Sequence, residues 1–113
     1  MLHFVLQYDI IKITGSDTMQ FEWDDEKEKI NIMKHGIDFT TAARVFKDEN
    51  RLELYDESHS EIEDRYITIG IIDDVAYLVM VVYTEREQAI RLISARKATK
   101  QEWRMYYDYS QRN

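Results

Sequence analysis

The side chains best suited to chemistry in this sequence are cations in its second half. They are Arg65, Arg86, Arg91, Arg96 and Lys97. An arginine donates two parallel hydrogen bonds to a phosphate and keeps its charge at any relevant pH, whereas a lysine supplies charge without that planar fork. Such side chains bind phosphate and stabilise the negative charge that develops on it during a reaction. The alternative is that each cation pairs with a carboxylate on a neighbouring strand.

The segment His59-Ser60-Glu61 supplies side chains for proton transfer. Histidine can act as an acid or a base near neutral pH, which makes His59 a candidate, and Glu61 is a second one. Together with the arginines, this segment completes the set that a phosphodiester reaction without a metal needs. The alternative for His59 is an exposed loop residue without a chemical role.

Other classes of site are disfavoured by the sequence. The chain has no cysteine, so disulfides, thiolate metal ligands and a cysteine nucleophile are excluded, and a reducing cytoplasm fits. The three histidines show no metal-ligand spacing, and there is no glycine-rich phosphate loop or dinucleotide fingerprint. We therefore predict neither a metal nor a cofactor.

No apolar run approaches the roughly 20 residues that a membrane span needs. Residues 1–18 lack the basic start and the small-residue cleavage site of a signal peptide. We expect a cytoplasmic protein that does not contact a membrane.

Charge is distributed unevenly along the chain. The total is −7, which taken alone argues against nucleic-acid binding, because phosphate contacts need clustered Lys and Arg. Residues 85–113, however, contain seven Lys or Arg and four Asp or Glu, a net charge of +3. A basic carboxyl-terminal region on an acidic body can bind an anion locally, and a solvated helix surface is the alternative.

Two helices are predicted ahead of this basic region. Asp24 is a good N-cap for the first helix, which ends at His35-Gly36 because glycine adopts the left-handed cap conformation cheaply. Asp38 caps the second helix. The expected apolar face of the first is thin and consists of Ile30, Met33 and Ile32. The second has one apolar stripe for packing on a sheet, formed by Phe39, Ala42, Ala43 and Phe46.

The arginines belong to a predicted run of antiparallel strands. Apolar alternation and turn residues place these strands at 52–55, 65–72, 75–84 and 89–97, with a tight turn at Asp73-Asp74. The third is nearly all apolar and should be buried on both faces. In a regular strand, Arg91 and Arg96 point to opposite faces because they are five residues apart, and Arg91 and Lys97 share one face.

A last helix follows the basic strand. Thr99 and Glu102 form a capping box, with Ala98 and Trp103 in the positions of a hydrophobic staple. Trp103, Tyr106 and Tyr107 form its apolar stripe. Two helices, a meander and a final helix make an α+β domain. Residues 4–13 are also β-prone and precede a turn-like segment at 14–17.

From Phe21 to about Tyr107 the chain resembles the BrnT toxins of bacterial type II toxin-antitoxin systems. The matching segments are, in order, Phe21-Glu-Trp-Asp, Lys34-His-Gly with Phe39 and Ala42 after it, His59-Ser-Glu followed by Glu63 and Arg65, Ile67-Thr-Ile-Gly, Thr84-Glu-Arg, and Arg91-Leu-Ile-Ser-Ala-Arg-Lys-Ala-Thr with Glu102. Each piece is short, but their order and spacing together are specific.

The resemblance implies a RelE-like fold with two amino-terminal helices, an antiparallel meander and a carboxyl-terminal helix. It implies RNA cleavage that inhibits translation, and neutralisation by a BrnA-type antitoxin that also binds operator DNA, so that the toxin meets DNA only through a toxin-antitoxin hetero-oligomer. The toxin domain should comprise residues 19–113, and residues 1–18 an extension of uncertain role.

We place the RNA site at the positions that match the family's motifs. We assign His59, Glu61, Arg65, Arg91 and Arg96 to catalysis, with His59 or Glu61 in proton transfer and the arginines on phosphate. Arg86 and Lys97 are assigned to RNA binding. A non-catalytic RNA- or protein-binding module that acts by occlusion is the competing hypothesis.

Overall fold

The computed structural model describes residues 6–14, 17–72 and 78–111. Its elements are β1 (Leu6–Thr14), β2 (Asp17–Asp24), α1 (Asp25–His35), α2 (Phe39–Ala43), β3 (Leu52–Tyr55), β4 (Tyr66–Ile71), β5 (Leu78–Arg86), β6 (Ala89–Lys97) and α3 (Lys100–Gln111). Short 3₁₀ turns cover Arg44–Lys47 and Glu57–His59. The chain is mixed α+β, as the sequence predicts. None of the described helices is long and apolar enough to cross a bilayer.

All six strands form one sheet in the order β1-β2-β6-β5-β4-β3. Strands β3 to β6 are the predicted antiparallel meander. The sequence did not indicate that β2 pairs in parallel with β6, through Phe21 opposite Ile90 and Glu22 opposite Arg91. The β-prone amino-terminal segment forms β1, which pairs with β2. The predicted turn residues Gly15-Ser16 and Asp73-Asp74 lie outside the described residues.

The two faces of the sheet carry separate apolar cores. On β5, Val79, Val81 and Tyr83 pack in the core that contains α2, whereas Leu78 and Met80 pack in the core that contains α3. Alternate residues of a strand point to opposite faces, so a continuous apolar run is required where helices cover both. The predicted two-sided burial is thus confirmed from Leu78 to Thr84; residues 75–77 lie outside the described part of the chain.

The helix ends follow the capping residues. The Asp24 carboxylate accepts hydrogen bonds from the amides of Glu26 at 2.8 Å and Lys27 at 3.4 Å. Gly36 ends α1 with a φ of 70°, a conformation that glycine adopts without steric cost. Asp38 caps α2 by accepting from the Thr41 amide at 3.0 Å. These three predictions are confirmed.

The predicted apolar face of α1 is wrong. Ile30 is 50% exposed, Ile32 44% and Met33 86%, and the side chain that α1 buries is Asn31. The Asn31 amide donates to the carbonyl oxygen of Ala95 at 2.9 Å and accepts from its amide at 3.0 Å. Beyond Arg91, β6 is no longer paired with β2, so its backbone needs other partners, and a polar side chain supplies them.

The carboxyl-terminal helix is fixed by its cap and by one tyrosine. The Thr99 amide donates to Glu102 at 2.9 Å and the Glu102 amide donates to the Thr99 hydroxyl at 3.2 Å, which confirms the capping box. Tyr106 is buried, and its hydroxyl donates to Asp48 at 2.6 Å. Trp103, in contrast, remains 51% exposed, so the predicted aromatic stripe closes the core only in part.

Candidate active site

A groove lies on the sheet face that carries α3, and we call it the central groove. Its volume is about 430 Å³. Its floor is apolar and consists of Ile67, Met80, Val82 and Ile93. Its polar walls come from the segment between β3 and β4 and from β6, and consist of Asp56, Ser58, His59, Arg65, Ser94 and Arg96. Three residues assigned to catalysis from the sequence therefore meet around one groove: His59, Arg65 and Arg96.

A β-bulge brings Arg96 to this face. Opposite β5, the register of β6 shifts between Ser94, which pairs with Val82, and Leu92, which pairs with Tyr83. Ile93 is thus an extra residue, and one extra residue reverses the alternation of every side chain beyond it. Arg91 and Arg96 therefore share a face and Lys97 lies on the other. The prediction made for a regular strand is wrong on both points.

His59 is held by an acidic neighbour in its own turn. The Nδ1 atom of His59 lies 3.1 and 3.2 Å from the two carboxylate oxygens of Asp56 and 3.0 Å from the Ser58 hydroxyl. An ionised carboxylate only accepts hydrogen bonds, so this network assigns the proton to Nδ1. The Nε2 atom is left as the nitrogen that can take a proton.

Asp56 stays ionised because of these contacts. Burial alone would raise its pKa, but hydrogen bonds from His59 and Ser58, with the nearby charge of Arg65, hold the pKa of Asp56 below its ordinary value. The carboxylate is therefore available as an acceptor throughout the neutral range.

Ser60 fixes the position of Arg65 relative to this pair. Its hydroxyl donates to the Asp56 carbonyl oxygen at 2.5 Å and accepts from the Arg65 amide at 3.0 Å. The Asp56 amide also donates to the Arg65 carbonyl oxygen at 2.9 Å. The segment between β3 and β4 is thus closed by hydrogen bonds at its base, which places His59 and Arg65 on one wall.

Arg65 is the arginine of this site with the least compensated charge. No hydrogen bond or ion pair of its guanidinium occurs among the described residues, although its charge acts on Asp56. A partly buried guanidinium that lines a groove and keeps its donors is suited to bind a phosphate.

Arg96 is oriented by α3. Its guanidinium donates two parallel hydrogen bonds to the carboxylate of Glu102, at 2.9 and 3.0 Å. Burial favours a higher pKa for Glu102, but the hydrogen bonds from Arg96 and Thr99 and the charge of Arg96 outweigh burial and lower it. The same carboxylate therefore caps α3 and holds Arg96 at the groove.

The other cations assigned from the sequence lie elsewhere. Arg91 donates from Nε to Glu22 at 2.7 Å, across the parallel β2–β6 pair, and Glu22 is buried. Arg86 pairs with Glu63 at 3.0 Å. Arg86 and Arg91 line a second groove of about 510 Å³. Lys97 is exposed on the opposite face.

Glu61 does not line the central groove itself. It is exposed and lines another pocket, of about 360 Å³. His59 and Arg65 line both this pocket and the central groove. Glu61 is therefore near the central groove but does not line it.

Three polar residues of the central groove were not assigned from the sequence: Asp56, Ser58 and Ser94. Asp56 is three residues before His59, a spacing at which a turn brings two side chains together, and this spacing was the available signal. Ser94 had no such signal, because the bulge at Ile93 decides its face. Among the described residues, no group of three or more His, Cys, Asp or Glu is arranged to hold a metal ion.

Comparison with known proteins assigns the family. A family model described as the ribonuclease toxin BrnT of type II toxin-antitoxin systems matches residues 23–102. Among curated proteins, none matches this chain. The matched range contains β6 and the whole segment between β3 and β4, and so includes every residue of the central groove. Because the match covers well over half of the chain, the protein belongs to the BrnT family of ribonuclease toxins.

Proposed function

We propose that this protein is an endoribonuclease toxin whose cleavage site is the central groove. The proposal is based on one observation. Three candidate residues from separate positions in the sequence line the same groove: His59, Arg65 and Arg96. The family supplies the class of activity, and the groove supplies a base and two guanidinium groups where a phosphodiester can lie.

The proposed reaction uses the 2′-hydroxyl of the RNA itself. His59 Nε2 takes the proton of that hydroxyl, the 2′-oxygen forms a bond to the adjacent phosphorus, and the bond from phosphorus to the 5′-oxygen breaks. Water supplies the proton to the leaving oxygen, and the hydroxide that remains takes the proton from His59 Nε2, which restores both the water and the base. The products are a 2′,3′-cyclic phosphate and a 5′-hydroxyl end. DNA lacks the nucleophile and is not cleaved by this route.

The arginines stabilise the charge that builds on phosphorus. Arg65 donates directly to the phosphate oxygens because its guanidinium is not engaged by a carboxylate. Arg96, oriented by Glu102, supplies positive charge from the opposite wall. Preorganised donors of this kind lower the barrier without reorganising during the reaction. No step in this scheme needs a metal, so we expect cleavage to persist in the presence of a chelator.

In the cell, cleavage by this protein would halt translation until a BrnA-type antitoxin neutralises the toxin in a hetero-oligomer. The toxin would reach operator DNA only through that antitoxin. A RelE-like arrangement, a cytoplasmic location and a toxin domain at residues 19–113 belong to the same proposal. A chain that starts at Met19 and still cleaves RNA would support the domain limit, and an unfolded one would contradict it.

Arg65→Gln tests the proposed site. We expect the purified variant to lose about 10²- to 10³-fold in cleavage rate, by analogy with the loss of a single transition-state donor. Lys29→Gln is the matched control, since it removes one exposed cation on α1. Circular dichroism establishes that both variants are folded. A folded Arg65→Gln protein that cleaves at the wild-type rate contradicts the assignment.

Expression without an antitoxin separates cleavage from occlusion. Growth arrest with shortened RNA supports the enzyme. Arrest with intact RNA favours a binding module that acts by occlusion, and normal growth contradicts both.

A further inference from the structure

The first turns of α3 present an exposed indole ring between two cations. Trp103 is 51% exposed, and Lys100 and Arg104 on either side of it are exposed as well. With Ala98 and Thr99 they line a groove of about 350 Å³. We call this surface the α3 platform.

The fold does not need Trp103 to hold α3 in place. The helix is anchored by its capping box and by buried Tyr106, whose hydroxyl donates to Asp48 at 2.6 Å. Trp103 instead contacts Tyr107, one helical turn later, with ring centroids 4.2 Å apart. The indole is thereby braced from one side while half of its surface stays in water.

The α3 platform is linked to the central groove through one ion pair. Glu102, the residue before Trp103, holds the guanidinium of Arg96, and Arg96 lines the central groove. Ala98, two residues beyond Arg96, lines the platform. We therefore expect an RNA strand that leaves the central groove past Arg96 to reach the platform.

We propose that the α3 platform binds an unpaired nucleobase of the RNA, which stacks on Trp103 while Lys100 and Arg104 contact the neighbouring phosphates. This inference rests on the proposed function. The charge of the platform indicates which ligand it binds. Two exposed cations lie beside an aromatic face, although the chain as a whole carries a net charge of −7. This combination is complementary to a polyanion that also contains aromatic rings. Stacking of this kind accepts any base, because every base has a π-face.

Tryptophan fluorescence tests the proposal, because only one of the two tryptophans is accessible. Trp23 is 4% exposed, whereas Trp103 is 51% exposed. The probe is a single-stranded RNA oligonucleotide with 2′-O-methyl groups at every position, which the toxin cannot cleave. We expect it to quench the wild-type fluorescence. Quenching should disappear in Trp103→Phe, where the buried Trp23 is the remaining indole.

Affinity measurements use the same oligonucleotide. Trp103→Ala should raise the Kd by about 5- to 150-fold, the range typical of replacing one stacking aromatic side chain with alanine. Trp103→Phe should retain most of the affinity, since a phenyl ring still stacks. The paired variant Lys100→Gln with Arg104→Gln should weaken binding and reduce its salt dependence.

An abasic oligonucleotide with the same number of phosphates is the control for stacking. It should bind more weakly than the full oligonucleotide and should not quench Trp103. Equal quenching by the abasic strand, or an unchanged Kd in folded Trp103→Ala, overturns the proposal. So does a result in which Trp103→Ala weakens binding of the antitoxin but not of RNA, because the platform would then be a protein interface.

Cleavage of unmodified RNA is measured separately. If the wild-type protein cleaves RNA but Trp103→Ala does not change the Kd for the oligonucleotide, the platform proposal is wrong and the proposed function stands. Base-dependent quenching without cleavage overturns the proposed function and supports the platform.

Discussion

At the scale of single residues, the Asp56–His59 pair determines what the groove can do. The carboxylate accepts a hydrogen bond from Nδ1 of His59 at 3.1 Å. Such a contact selects one tautomer and one ring orientation, as second groups do for histidine bases in other enzymes. In the proposed reaction, Asp56 is thus a positioning residue, and His59 is the group that exchanges a proton with the substrate.

Replacing Asp56 tests this division of roles. We expect Asp56→Asn to cleave RNA more slowly than wild type, because an amide no longer requires a proton on Nδ1 of His59. His59→Gln should lose more, about 10²- to 10⁴-fold, which is the usual contribution of general acid-base catalysis. Cleavage rates and the ¹⁵N NMR signals of the imidazole check both points. An unchanged ring tautomer in Asp56→Asn contradicts the positioning role.

At the scale of elements, α1 is attached to the sheet by hydrogen bonds. Asn31 makes three, to the Ala95 amide, the Ala95 carbonyl oxygen and the Ile37 carbonyl oxygen. Asn31 thereby supplies hydrogen-bond partners for the backbone of β6 beyond the point where β2 stops pairing with it. It also links α1 to the segment that leads into α2. The apolar residues of α1 are not used for this attachment.

Asn31→Ala should therefore destabilise the fold far more than changes to those apolar residues. It leaves buried backbone groups of Ala95 without partners, and we expect a loss of about 2 kcal/mol or more in the free energy of unfolding. Met33→Ser on the same helix, at a position 86% exposed, should change it by less than about 0.5 kcal/mol. Urea denaturation measures both. If both variants lost the same free energy of unfolding, the apolar residues of α1 would contribute to its attachment, as the sequence predicted.

The junction of β6 and α3 depends on Glu102, which serves Thr99 and Arg96 together. Its pKa is lowered from the ordinary value of 4.5. A carboxylate with a lowered folded-state pKa contributes stability above its unfolded-state pKa, and this stability is lost as the pH falls through the folded-state value. The contribution is thus complete at neutral pH and is lost below about pH 4.5.

Glu102→Gln tests this linkage. At pH 7 we expect the variant to be less stable by about 1 to 2 kcal/mol, because the hydrogen bonds to Arg96 lose their ionic character. The difference should shrink as the pH falls below 4.5. Denaturation curves at several pH values measure it. A difference that stays constant down to pH 3 would falsify the linkage.

At the scale of the whole molecule, an acidic protein has a basic carboxyl-terminal region. The chain carries −7 in total, whereas residues 85–113 carry +3. Several of these cations are neutralised within the fold, as Arg91 is by Glu22 and Arg86 by Glu63. The charge available to RNA is therefore smaller than the sequence count, and it is concentrated at Arg65 and along the start of α3.

Salt dependence of RNA binding measures this available charge. If about three phosphates are neutralised, log Kd should change with log salt concentration by a slope of about 2, since each contact on a single strand contributes about 0.7. The uncleavable oligonucleotide is suited to the titration. A slope of about 3.5, equivalent to five contacts, would mean that Arg86 and Arg91 leave their carboxylate partners, and a slope near zero would contradict phosphate binding.

The sequence by itself determined most of what is local in this protein. Asp24, Gly36, Asp38 and Thr99 set helix ends through contacts within a few residues, and period-two apolarity placed the strands. The ordered motifs were enough to identify the family. These features depend on neighbours along the chain, so a sequence contains the information directly.

Only the tertiary structure decided which of the candidate residues meet. One extra residue at Ile93 reversed the face of Arg96, and the parallel pairing of β2 with β6 gave Arg91 a buried partner in Glu22. The same pairing ended early and made Asn31, rather than the isoleucines, the buried residue of α1. Each outcome depends on which strands lie side by side and in which register, and periodicity within one strand does not contain that information.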